Sequence, residues 1–237
     1  MIKINGVSKS FNGQTILDNI NLNIKDKKIT VIIGKSGAGK SILLKLLNKL
    51  IVAEEGSIEY NGTNLFDLNL RDLIEFRKKT GILFQGGALF DSMNVFQNVA
   101  FPLVEHFKFS EETIHQKVVE ALKMVDLENV LEKMPSELSG GMKKRVALAR
   151  SIVHKPEYLF YDEPTTGLDP ITAANIIKLI KNIHNEMNIT SIIVTHDRDC
   201  VSILADDIIM VYNKKIYFSG SCTDFVESDD IMLKLFK

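Results

Sequence analysis

At 237 residues the chain is long enough to bury a substantial core, and 45% hydrophobic with 25% charged side chains is the balance of an ordinary soluble globular protein. Twenty-nine basic against thirty acidic residues leave a formal charge of -1, which gives no electrostatic reason to expect nucleic acid as the main partner. No run approaches the roughly 18 apolar residues of a membrane helix, and the two cysteines, Cys200 and Cys222, lack metal or redox spacing and read as inert thiols of a reducing compartment.

The start, MIKINGVSKSF, lacks the basic, apolar and small-residue order of a signal peptide. Residues 1–28 and 56–62 read as short strands with Asn12-Gly13 and Asn61-Gly62 turns between them, an antiparallel β layer. The apolar runs Ile29–Ile33, Gly81–Phe84, Tyr158–Tyr161, Ile189–Thr195 and Ile208–Tyr212 have the unbroken character of buried parallel strands. Helical patterns alternate with them over 40–50 and 171–187; in the second, Ile176, Ile177, Ile180, Ile183 and Met187 share one face. Together these predict an α/β fold with a parallel-sheet core. Between about 86 and 156 helices dominate, with Ser110-Glu111-Glu112 as one helix start. Asn213-Lys214 turns a last hairpin.

Ile29–Ile33 runs into Gly34-Lys35-Ser36-Gly37-Ala38-Gly39-Lys40-Ser41 and then a helix, the P-loop pattern in its strand–loop–helix context. Glycines let successive backbone N–H groups turn toward phosphate, and the helix start adds partial positive charge. Lys40 brings a mobile cation to the outer phosphates, and the Ser41 hydroxyl is a hard oxygen ligand for Mg²⁺. By itself this loop says only that a nucleoside triphosphate binds.

The strand Tyr158–Tyr161 ends in Asp162-Glu163. Adjacent carboxylates there can divide the work, Asp162 toward Mg²⁺ and Glu163 toward the attacking water; a plain strand-ending turn is the other reading. His196 ends another strand, where a lone histidine is more often structural. His106, His115, His154 and His184 carry only that structural reading.

Leu138-Ser139-Gly140-Gly141-Met142 precedes a helix with Lys143, Lys144, Arg145 and Arg150, of which the cluster Lys143–Arg145 reads first as a solvated face. This segment resembles the LSGGQ signature of the ABC ATPases, and the resemblance extends over nearly the whole chain. It implies a single ABC ATPase domain over 1–237. Within it, about 1–85 and 157–237 would form the N-terminal antiparallel β subdomain and a RecA-like core, and about 86–156 an inserted α-helical signature subdomain. Gln85 stands as the Q-loop glutamine, near Mg²⁺ and the reacting phosphate. Thr166-Gly167-Leu168-Asp169 stands as the D-loop, His196 as the switch histidine and Phe11 as the ring that stacks on adenine. The resemblance implies an Mg-dependent ATPase with ATP and Mg²⁺ as cofactors. It also implies a second copy of the chain, because Ser139, Gly140 and Gly141 form a second anion cradle that serves the ATP of the opposite, head-to-tail subunit. Met142 departs from the usual glutamine and removes a side-chain hydrogen bonder.

The stretch Phe84–Leu103, with the LSGGM form of the signature, is similar to the Mla/Mce-associated ATPases of phospholipid transport. That similarity implies a multi-span permease, an MCE-domain lipid-binding protein as further partner, and a peripheral place on the cytoplasmic face of the inner membrane. Another importer cargo (amino acids or metal complexes) and a soluble ATPase of iron–sulfur assembly or cell division stay open on the same residues.

Overall fold

Asn12 (φ 49°) and Gly13 (φ 77°) both adopt the left-handed backbone of a two-residue hairpin turn. They join β1 (Ile2–Phe11) to β2 (Gln14–Ile24). β3 (Ile29–Ile33) and α1 (Lys40–Leu47) follow, then β4 (Glu55–Tyr60) and β5 (Thr63–Asn64). The antiparallel layer expected from the sequence is a four-stranded sheet ordered β2-β1-β4-β5. α2 (Leu70–Arg77) comes next.

The computed structural model describes residues 1–236 and divides into two units, one from 1–73 and 190–236 and the other from 74–189. The second unit holds β6 (Thr80–Leu83), α3 (Val95–His106), α4 (Glu111–Met124), α5 (Gly140–Ile152), β7 (Tyr158–Asp162) and α6 (Pro170–Met187). β6 and β7 run parallel, Thr80 level with Tyr158 and Leu83 with Tyr161. Side chains cap four of its helices: Asn94 for α3, Ser110 for α4, Ser139 for α5 and Asp169 for α6. The isoleucine face expected of α6 is present, with Ile176, Ile177, Ile180 and Ile183 buried.

The chain then returns to the first unit as β8 (Thr190–Val194), α7 (Arg198–Leu204), β9 (Asp207–Tyr212), β10 (Lys215–Ser221), α8 (Cys222–Glu227) and α9 (Ile231–Lys234). β3 is parallel to β8 on one side and to β9 on the other, and β10 closes antiparallel on β9. β3 and β8 are buried along their full length, which is why their sequences are unbroken apolar runs. Among the described residues no helix is long and apolar enough to cross a membrane.

Candidate nucleotide site

The loop 34–39 leaves β3 at the centre of the parallel strands and hands the chain to α1. Gly39 is the N-cap residue of α1 with φ 98°. A Cβ there would lie 2.8 Å from Leu17 Cδ2 and 3.1 Å from Ile16 Cγ2, so β2 presses directly on the loop and only glycine fits. No side chain caps α1, in contrast to α3, α4, α5 and α6. The positive end of its dipole is therefore not met by a capping side chain and favours an anion. Lys40 is buried, and its ammonium donates to the carbonyls of Gly34 at 2.9 Å and Lys35 at 3.2 Å, lying over the loop. Ser41 follows in the same turn. These residues fit a triphosphate. Among the described residues no group of three or more His, Cys, Asp or Glu could hold a metal by itself. A metal at this loop would share oxygen ligands with the nucleotide, as Mg²⁺ does.

Phe11 ends β1 with 42% of its surface exposed, and the Lys9 ammonium lies 5.0 Å from its ring centroid. The same hairpin carries Ile16 and Leu17 against Gly39, so this aromatic edge and the loop belong to one packed feature. His196 is exposed two residues beyond β8. The β3–β8 register sets Ile32 level with Val194, and Thr195 N–H donates to Ile32 C=O at 3.2 Å. Carried forward, that register brings His196 out of the sheet beside the start of the loop.

In the second unit, Asp162 and Glu163 sit at the end of β7, only 8% and 9% exposed. Glu163 has φ 50°, a left-handed backbone uncommon for a residue with a side chain. The Thr166 N–H donates to its carbonyl at 3.3 Å, and the Thr166 hydroxyl to Oε2 at 3.4 Å. The Lys144 ammonium, from α5, donates to the carbonyl of Gln85 and reaches that of Glu163 at 3.5 Å. Burial pushes the Lys144 pKa down, while the nearby Asp162 and Glu163 carboxylates work in the opposite direction. Gln85, Asp162 and Glu163 are thus gathered around one lysine.

Two of the three cations read as a solvated face, Lys144 and Arg145, are held by main-chain carbonyls instead. Lys144 is buried. Arg145 donates to Val125 C=O at 3.0 Å, and Arg150 to the carbonyls of Gly87 at 2.7 Å and Ala88 at 2.8 Å. Charge alone misled the sequence reading. The signal lay in spacing, because Lys144 shares a helical face with Ala147, Leu148 and Ser151, all buried.

At the start of α5 the Ser139 hydroxyl accepts from Met142 N–H at 3.3 Å. Gly141 packs against Thr172 of α6. Asp169 caps α6 by accepting from Thr172 N–H at 3.0 Å, and hydrogen bonds from the Thr172 side chain and backbone hold its carboxyl below the usual aspartate range. Another residue that sequence reading passed over is Asn98. It is fully buried and bonded to the backbone of Phe90, Met93 and Asn94, so it shapes the segment after Gln85.

Comparison with known proteins gives this arrangement its context. The intermembrane phospholipid transport ATP-binding protein MlaF of Haemophilus influenzae is 41% identical over 236 residues, 100% of this chain and 89% of the relative. The methionine import ATP-binding protein MetN of Clostridium tetani is 42% identical over 224 residues, 94% of this chain and 70% of the relative. Among solved structures, a dimeric bacterial ABC transporter cassette superposes with a TM-score of 0.86 at 31% identity, covering 93% of this chain and 98% of that one. The fold is therefore that of the ABC cassettes. The family profile described as ABC transporter matches residues 17–166, from the strand that packs on Gly39 through the acid pair to Thr166. On the loop, the signature and this match together, the chain belongs to the ABC transporter family.

Proposed function

We propose that this chain is the Mg-dependent, ATP-hydrolysing subunit of a transporter that moves phospholipid through a separate multi-span permease. It works as a head-to-tail pair, peripheral on the cytoplasmic face of the inner membrane, with an MCE-domain lipid-binding protein as a further partner. The observation that carries the reading is the start of α1, where left-handed Gly39 supplies no side-chain cap and Lys40 lies over the loop.

In this reading Phe11 stacks on adenine, and Gly34, Lys35, Ser36, Gly37, Ala38 and Gly39 wrap the phosphates with backbone N–H groups. Lys40 offsets the charge of the outer phosphates. Ser41, Asp162 and Gln85 are the oxygen donors toward Mg²⁺, whose charge, when bound, further neutralises the phosphates. Glu163 orients the attacking water and takes its proton, with His196 as the switch histidine. The sparse backbone conformation of Glu163 supports that role, since such strain persists where surrounding contacts hold a working group in place. Ser139, Gly140 and Gly141 receive the ATP of the opposite copy, with Asp169 alongside. We take 86–156 as the helical subdomain that carries this signature.

Phospholipid is favoured as cargo because the match to the phospholipid-transport protein runs the whole length of this chain. The segment Phe84–Leu103, which follows the Q-loop glutamine, points the same way. An amino-acid importer is the second reading, favoured by 42% identity to the methionine import protein.

The test is a pull-down of tagged Glu163→Gln protein with Mg-ATP from detergent-solubilised native membranes. Recovery of a multi-span permease with an MCE-domain protein is expected. A permease with a small-solute receptor would move the cargo to the second reading. Turnover persisting at the wild-type rate in Glu163→Gln would remove Glu163 from the role of base.

A further inference from the structure

Lys144 is a buried cation whose donors go to main-chain carbonyls rather than to solvent. Such a group is tolerated inside a protein only where its hydrogen bonds are met. Its two acceptors belong to segments far apart in sequence. Gln85 C=O opens the segment after β6, and Glu163 C=O lies at the left-handed turn that ends β7. Six residues along α5, Arg150 takes the next carbonyls of the first segment, Gly87 and Ala88, while its guanidinium rests 5.7 Å from the Phe90 ring centroid. The helix that begins with the signature therefore grips three carbonyls of residues 85–88.

The bond to Glu163 has a different consequence. A left-handed non-glycine residue relaxes unless several contacts fix it. Among the contacts that fix it are the Thr166 N–H and the Lys144 ammonium on the carbonyl, and the Thr166 hydroxyl on the carboxylate. Removing the ammonium takes away one of these holds on the carbonyl and loosens the turn that aims the carboxylate.

We propose that Lys144 is a positioning residue for ATP hydrolysis: by sharing its ammonium between Gln85 C=O and Glu163 C=O, it fixes the direction of the Glu163 carboxylate and ties that direction to the signature helix. The inference rests on the assignment of Glu163 as the base. It requires that Lys144 act on turnover and leave nucleotide binding alone, because neither carbonyl is a nucleotide contact in the proposed site.

The experiment measures kcat and KM for Mg-ATP hydrolysis by the purified chain as wild type, Lys144→Met, Lys144→Arg and Glu163→Gln. Misplacing a reacting group by about an ångström costs on the order of 100-fold. Lys144→Met is therefore expected to lose about 10- to 100-fold in kcat with KM changed by less than about threefold, and Lys144→Arg to recover most of the loss. A Lys144→Met enzyme with kcat within about twofold of wild type, or one that loses through KM alone, would overturn the proposal. If Glu163→Gln abolishes turnover and Lys144→Met does not, this inference fails and the base assignment stands. If Glu163→Gln turns over normally, the base assignment fails first. Should Lys144→Met not fold, hydrogen exchange in Lys144→Gln decides. The Thr166 and Leu168 amides, bonded to Glu163 C=O and Thr165 C=O, are expected to exchange several-fold faster, and unchanged exchange there rejects the bridge.

Discussion

A Cβ added to Gly141 would lie 2.7 Å from Thr172 Cγ2, so the signature helix and α6 meet where only a hydrogen fits between them. Gly141→Ala is expected to cost about 1–3 kcal/mol by overpacking, seen as a Tm lower by several degrees. Thr172→Ser removes the clashing methyl and leaves Thr172 Cβ at 4.0 Å, an ordinary contact. The double variant is therefore expected to regain the lost Tm. If it does not, the contact is not what excludes a side chain at position 141.

Phe11 stands exposed at the tip of a hairpin, with a lysine on its ring. Stacking on a base is worth about 1–3 kcal/mol, so Phe11→Ala is expected to weaken ATP binding by roughly 5- to 150-fold. Phe11→Tyr keeps the ring and should bind within about twofold of wild type. Equilibrium binding of a fluorescent ATP analogue, competed with ATP, reads both.

Asn98 links α3 to the turn before it, giving its amide to the carbonyls of Phe90, Met93 and Asn94 and taking the Phe90 N–H at 2.8 Å. Replacing it by alanine takes the amide from the Phe90 N–H and the Met93 C=O, while Phe90 C=O and Asn94 C=O keep backbone partners; each group left unmet costs about 1–3 kcal/mol. Asn98→Ala is expected to lower the urea midpoint markedly. An unchanged midpoint would mean that solvent reaches those groups.

His154 supplies a pH-dependent part of the stability. Its Nε2–H donates to Thr80 C=O at 3.0 Å, which leaves Nδ1 unprotonated, buried and without a partner. Burial pushes this imidazole below its usual pKa; the Thr80 carbonyl opposes that more weakly, and His106 adds a still smaller push down. Because the folded value is depressed, the unfolded chain takes up a proton first as pH falls. The contribution is complete above the unfolded pKa of about 6.5 and is lost as pH drops toward the folded value. Tm is expected to fall between about pH 7.5 and 5.5, and His154→Gln, which keeps a donor for Thr80, to flatten that slope. An identical slope in both proteins would place the titration elsewhere.

The parallel strands were legible in the sequence almost to the residue. A strand buried on both faces must be apolar throughout, and Ile29–Ile33 and Tyr158–Asp162 have no other reading once the loop and the acid pair follow them. The helix start at Ser110 was equally plain, since the capping side chain is itself the signal. Backbone handedness at Glu163 and the burial of Lys144 were not, because neither follows from residue type. Glutamate rarely adopts φ 50°, and lysine in a run of cations suggests solvent. Both depend on what the rest of the fold places beside them. Asn98 was hidden for the same reason, as its four partners are main-chain groups with no trace in side-chain chemistry.

The cap on α5 sets a limit on which residues position 139 tolerates. A hydroxyl has one proton and two lone pairs, and Ser139 uses a lone pair on the Met142 N–H, leaving its proton to donate outward. Aspartate or asparagine would hold the helix end as well. An ionised aspartate, however, has no proton to give and would set a negative charge where the helix dipole favours an anion. In the proposed arrangement, Ser139→Asp should therefore leave a chain that folds with its Tm intact and fails only when ATP from another copy arrives, a defect invisible to every measurement made on a single subunit.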